Sequence, residues 1–91
     1  MVKHLLNEQI NLHLLTPEKT LFDGNVSMVV IPAEEGELGI LPKHAPFVTS
    51  LRAGEVKIYR NDSISEVFTI SGGFAEIVND TCQIVADGML L

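Results

Sequence analysis

Period two is the pattern that most limits what this chain can become. In INLHLLT, Ile10, Leu12 and Leu14 fall on one side and Asn11 and His13 on the other, as in a half-buried strand. GEVKIYR repeats the pattern, with Val56 and Ile58 set against Lys57 and Tyr59, and PFVTSL sets Phe47, Thr49 and Leu51 against Val48 and Ser50. SEVFTI, GFAEIV and TCQIVA extend the series, with Phe74 a candidate for the core, and GELGILP supplies a short segment bracketed by glycine and proline. VSMVVIP is apolar on both faces from Met28 to Ile31, which calls for cover on both sides. Turn residues punctuate the series about every eight to twelve residues. TPEK carries Pro17 early in a turn, and RNDS carries residues that accept left-handed backbone. No window of about twelve residues has helical spacing built from good helix formers. The pattern predicts an all-β chain folded as an antiparallel sandwich or barrel of short strands.

Charge and cysteine content restrict the function classes. The 91 residues suit a single domain. Twelve acids against six bases leave a net charge of −6, the wrong sign for gripping nucleic acid or an anionic membrane surface and weakly favourable for a basic protein partner. Cys82 is the single cysteine, so no internal disulfide can form, and a reducing compartment fits. MVKHLLNEQ is too short in apolar residues for a signal peptide, and nothing approaches the roughly 18 apolar residues of a membrane span. A soluble, cytoplasmic protein is expected, with any membrane association made through another chain.

A search for chemistry finds no catalytic set. His4, His13 and His44 are not at metal-ligand spacing, and Cys82 alternates with Ile84 and Ala86 as a small core residue does. Glu34, Glu35 and Glu37 crowd one turn but lack the ligand spacing of a calcium loop. They also lack the aromatic-lined cleft of a glycosidase, since the chain has no Trp and one Tyr. The glycines of ISGGF precede a strand, which suits a turn or bulge rather than a phosphate loop. Asn25, Asn61 and Asn79 begin Asn-x-Ser/Thr triplets, but at turns and strand starts where such residues collect anyway. No metal and no cofactor is expected. Two further classes remain open: a carbohydrate- or ligand-binding sandwich, and a small hydrolase using His44 with Glu35 or Glu37.

TPEKTLFDGNV, EGELGILPKHAPFVTSLRAGEVKI and ISGGFAEIVNDTCQIVAD follow one another at spacings that resemble the epsilon subunit of the F-type ATP synthase, called delta in mitochondria. The resemblance covers about residues 10–87 and implies a ten-stranded β-sandwich with no catalysis of its own. Such a subunit sits at the foot of the central stalk, binds the gamma subunit and the ring of c subunits, and turns with them while protons drive ATP synthesis. In a bacterium that places it on the cytoplasmic face of the plasma membrane. By residue-level match, Glu34, Glu35, Gly36, Glu37 and Gly39 would face the c ring, whose polar loops carry basic and amide side chains. The glycines at 36 and 39 would then allow a tight turn and close approach. Thr16, His44 and Thr49 would lie towards gamma, on a surface separate from the acidic turn. Members of the family continue into a C-terminal pair of helices used for inhibition and, in some, for sensing ATP. Here the sequence stops at Leu91, so one domain, residues 1–91, is expected, with no regulatory role and no nucleotide site carried over.

Overall fold

A computed structural model describes residues 9–90 of the chain. Among these residues there are nine strands and no helix: β1 (Ile10–Leu15), β2 (Thr20–Val26), β3 (Met28–Ala33), β4 (Gly36–Ile40), β5 (Phe47–Leu51), β6 (Gly54–Arg60), β7 (Ser63–Ile70), β8 (Gly73–Val78) and β9 (Thr81–Ala86). They form one continuous hydrogen-bonded path, β2-β1-β9-β8-β5-β3-β6-β7, with β4 on the other edge of β3. The path curls over so that the alternating inward side chains of its two halves share one core. Ile10, Leu12 and Leu14 of β1, Val56 and Ile58 of β6, and Ile84 of β9 are all fully buried there. Cys82 joins them, and burial pushes its thiol up to about 12, so it stays a protonated packing group.

Two of the turns close as their residue types require. Asn61–Asp62 and Asn79–Asp80 each place two consecutive residues at positive φ, 52° and 68° in the first pair and 51° and 60° in the second. That is the left-handed pair of a type I′ hairpin, whose twist matches the strands it joins. The core that these hairpins align is worth about 2–3 kcal/mol for each fully buried Leu or Ile.

Four sequence expectations change. The sandwich is not purely antiparallel, because β1 lies parallel to β9, Leu12 opposite Cys82 and Leu14 opposite Ile84. The long sequence separation of these two strands permits this, since a parallel neighbour needs only a long crossover. The nine strands among the described residues agree with the expected series of about ten short strands. VSMVVIP is not one strand: the backbone bends at Ser27, whose amide (2.9 Å) and hydroxyl (2.8 Å) both donate to the Tyr59 carbonyl. β2 ends at Val26 beside β1, while β3 begins at Met28 beside β6, so Ser27 is where the chain changes layer. Strand β2 itself, TLFDGNV, went unseen because its inward positions are Phe22, Gly24 and Val26, and a glycine interrupts the alternation. The space above Gly24 is used by the Phe22 ring and the Arg60 guanidinium, the latter lying 5.4 Å from the ring centroid.

The fourth change concerns Phe74. Its ring is 47% exposed, on the outer face of β8 between Ser50 and Val85, while Ala75 and Ile77 point inward. Only one parity of GFAEIV can face the core, and Ala75 and Ile77 take it. Phe74→Ala is therefore expected to cost roughly 1 kcal/mol or less rather than a core-sized loss, whereas Ile84→Ala, fully buried, is expected to cost about 2–5 kcal/mol. Denaturant unfolding of the two variants checks this contrast, and equal losses would contradict the assigned faces.

Candidate functional site

The acidic stretch folds as the tip of the β3–β4 hairpin. The chain leaves β3 at Ala33, turns over Glu34 and Glu35, and returns through Gly36, which pairs with Ala33. Gly36 has φ 134°, a backbone that L side chains rarely adopt, so this glycine is required by conformation. Gly39 is different. It sits within β4 opposite Val30 without a positive φ, so a turn is not the reason for a glycine there.

Beside this tip lies a groove of about 720 Å³. Residues 34–37, with Ala33 and Leu38, form one wall, and residues 47–50 of β5 form the other. It opens because β5 pairs with β3 at a single position, Ala33 with Leu51, and the two strands then diverge. Phe47 is the one aromatic ring in its lining. Among the described residues, no three His, Cys, Asp or Glu side chains converge as a metal site, and no helix is long and apolar enough to cross a membrane.

The three carboxylates are not equivalent. Glu37 Oε2 lies 3.3 Å from Lys57 Nζ of β6, reached across the intervening strand β3. This hydrogen bond, reinforced by the carboxylate's charge, raises the Lys57 ammonium above its ordinary pKa. The pair's contribution is thus complete below the ordinary lysine range and is lost as pH rises through the raised value. Glu34 and Glu35 are exposed and have no such cation among the described residues. Two negative charges with no cation beside them among the described residues therefore sit at the groove's rim.

The other three expected positions separate. Thr49 lines the groove together with the acidic turn, so these two expected surfaces adjoin rather than stand apart. His44 occupies the loop that feeds β5. Its Nδ1–H donates to the Ala45 carbonyl at 2.7 Å, and its ring meets Phe47 edge-on at 6.0 Å. Phe47 in turn lines the groove, so His44 is joined to it through one ring contact. Thr16 lies elsewhere, at the end of β1. It is 8% exposed, and its hydroxyl accepts from the Glu18 and Lys19 amides at 3.3 and 3.2 Å, so it builds its own turn. Its neighbour Leu15 is three strand spacings from Ser50 along the row Leu15–Val85–Phe74–Ser50, about 14 Å. His4 lies outside the described residues.

That row is what sequence reasoning missed. Val85 (37%), Phe74 (47%) and, two residues along β5 from Ser50, Val48 (55%) are large apolar side chains held outward on neighbouring strands. The available signal was apolar residues at both parities of GFAEIV and TCQIVA, which a strand with one wet face does not need.

The site is thus an all-β sandwich carrying an acidic hairpin tip, a groove beside it and an apolar outer row. The family model for the β-sandwich domain of the ATP synthase delta/epsilon chain matches residues 9–91, and the chain belongs to this family. It is 46% identical over 79 residues to the ATP synthase epsilon chain of Granulibacter bethesdensis, covering 87% of this chain and 58% of that relative. It is 36% identical over 80 residues to the epsilon chain of Rhodospirillum rubrum, covering 88% and 60%. Thus the chain spans somewhat over half the length of these curated relatives. Among solved structures it resembles a chain of the Euglena gracilis mitochondrial ATP synthase, OSCP/F1/c-ring assembly, with a TM-score of 0.82 and 26% identity over 90% of this chain and 52% of the other. A chain of the Tetrahymena thermophila central stalk/c-ring assembly shares the fold, with a TM-score of 0.74 at 23% identity over 91% and 66%.

Proposed function

We propose that this β-sandwich serves an F-type ATP synthase as the epsilon-type element of the central stalk, a rotor part without chemistry of its own that links the gamma subunit to the c ring. Family membership over nearly the whole chain supports the class, and the Euglena chain of similar fold comes from an assembly that includes F1 and the c ring. The observation that carries the reading to particular residues is the hairpin tip, where Glu34 and Glu35 stand exposed beside a groove with no cation paired to them among the described residues. Carboxylates so placed suit basic loops of a ring subunit, giving orientation and specificity more than affinity. Glu37 and the Gly36 turn shape the same c-ring-facing tip. Gamma would cover Thr49, the His44 loop and the outer row of Phe74 and Val85, with Thr16 reached through its turn. In this role the chain is peripheral to the membrane, held there by the complex, on the cytoplasmic face in a bacterium. Membership in this family, together with a groove holding one aromatic ring, disfavours a sugar-binding module.

Binding to purified gamma from the same organism tests the reading. Calorimetry should give saturable binding at or below about 10–50 µM, and Phe74→Ala should weaken it while leaving the fold intact. Folded partners that show no binding in that range would remove the central-stalk assignment.

A further inference from the structure

The loop that presents His44, residues 41–46, contains a conformational mismatch. The His44 amide donates to the Leu41 carbonyl at 3.2 Å, closing a four-residue turn with Pro42 second and Lys43 third. Lys43 has φ 66°. Proline followed by a residue at positive φ is the type II pattern, and its third position favours Gly or Asn, not a long side chain. Something outside the turn must hold Lys43 in left-handed backbone. The Lys43 amide donates to Oδ1 of Asp80, which lies in the hairpin between β8 and β9. Asp80 is itself a firm anchor. It occupies the second left-handed position of its hairpin, and its carbonyl accepts the Asn11 amide of β1 at 2.9 Å.

We propose that Asp80 is a positioning residue for the partner-facing loop: its carboxylate holds the turn at Lys43, and through it the placement of His44 and Phe47 at the groove. The inference rests on the reading of that loop as a gamma-binding surface. The route is short. Asp80 holds the amide of Lys43, the turn sets where His44 leaves it, the Nδ1–H bond to Ala45 sets the ring, and the ring packs edge-on against Phe47. Without the carboxylate, the Lys43 amide loses its bond to Asp80, the left-handed conformation is less well held, and the loop samples other turns more often. A glycine at position 43 would need no such support.

The mismatch makes a double-mutant cycle decisive. Asp80→Gly removes the carboxylate and leaves Asn-Gly, the favoured type I′ pair, so the hairpin should form at least as well. Asp80→Asn keeps an oxygen acceptor and tolerates the left-handed backbone. In the isolated chain, Asp80→Gly is expected to speed hydrogen exchange of the amide at position 43 about tenfold, and Asp80→Asn to leave it near wild type. Affinity for purified gamma should fall about five- to tenfold in Asp80→Gly and hold in Asp80→Asn. In a Lys43→Gly background, adding Asp80→Gly should change affinity by less than about twofold. Unchanged exchange in Asp80→Gly would overturn the clamp, and so would wild-type affinity or an undiminished loss in the Lys43→Gly background. If the wild-type chain does not bind gamma at all, the functional reading fails, while the exchange measurement still decides the clamp.

Discussion

Gly73→Ala is expected to be the most damaging single-methyl change in this domain, lowering stability by about 2–5 kcal/mol. Two effects combine. Gly73 has φ 149°, which alanine adopts only with strain. An added Cβ would also stand 2.3 Å from the Val85 carbonyl oxygen and 2.9 Å from the Ala86 Cα. Both atoms are backbone of β9, paired with β8 through Gly73–Ala86 and Phe74–Val85, so neither can swing away as a side-chain tip would. Relief requires opening the β8–β9 ladder next to buried Ala86 and Ile84. Gly36→Ala is the internal comparison, because it carries the conformational cost alone, with nothing within 4 Å of the new methyl. Its expected cost is about 1–2 kcal/mol. Denaturant unfolding of both variants measures the difference, and a Gly73→Ala protein as stable as Gly36→Ala would show that the strand pair yields easily.

The largest functional effect is expected from reversing the acids that have no cation beside them among the described residues. The sequence match placed Glu34, Glu35 and Glu37 alike towards the c ring, but Glu37 already pairs with Lys57 at 3.3 Å. Lysine at position 37 would face Lys57 and disturb the sheet locally, confusing a binding defect with a folding one. Glu34→Lys with Glu35→Lys avoids this, because both side chains are exposed at the hairpin tip. The fold should change by under about 0.5 kcal/mol. Attachment to the c ring should weaken by about tenfold or more, since attraction becomes repulsion at two positions. The defect should be greatest at low ionic strength, where the screening length is about 30 Å at 0.01 M against about 8 Å at 0.15 M. Thr49 lines the same groove, so gamma affinity belongs in the same experiment. Reconstitution into vesicles, with proton-driven ATP synthesis measured at two salt concentrations, gives the readout. Synthesis equal to wild type at both would reduce these acids to a solvated hairpin tip.

What residues alone determined is local and periodic. Strict alternation in β1 and β6 placed Leu12, Leu14, Val56 and Ile58 inward, and all are fully buried. The Asn-Asp pair of RNDS announced a left-handed turn, because short polar side chains tolerate that backbone, and it forms at Asn61–Asp62. The order of motifs carried the family, which the match over residues 9–91 shows. Tertiary structure decided what depends on partners distant in the chain. Alternation says that two faces exist but not which is covered when both are apolar, so Phe74 had to wait for Ala75 and Ile77 to claim the core. Strand β2 is readable only once Phe22 and Arg60 fill the room over Gly24. The parallel seam of β1 and β9 joins segments about 70 residues apart, and no local pattern encodes that. The acids look alike in sequence, yet among the described residues only Glu37 has a lysine brought beside it, because β3 carries β4 on one edge and β6 on the other. Lys43 in left-handed backbone is the plainest case, since its partner is a carboxylate 37 residues further along the chain, placed by the meeting of a loop and a hairpin.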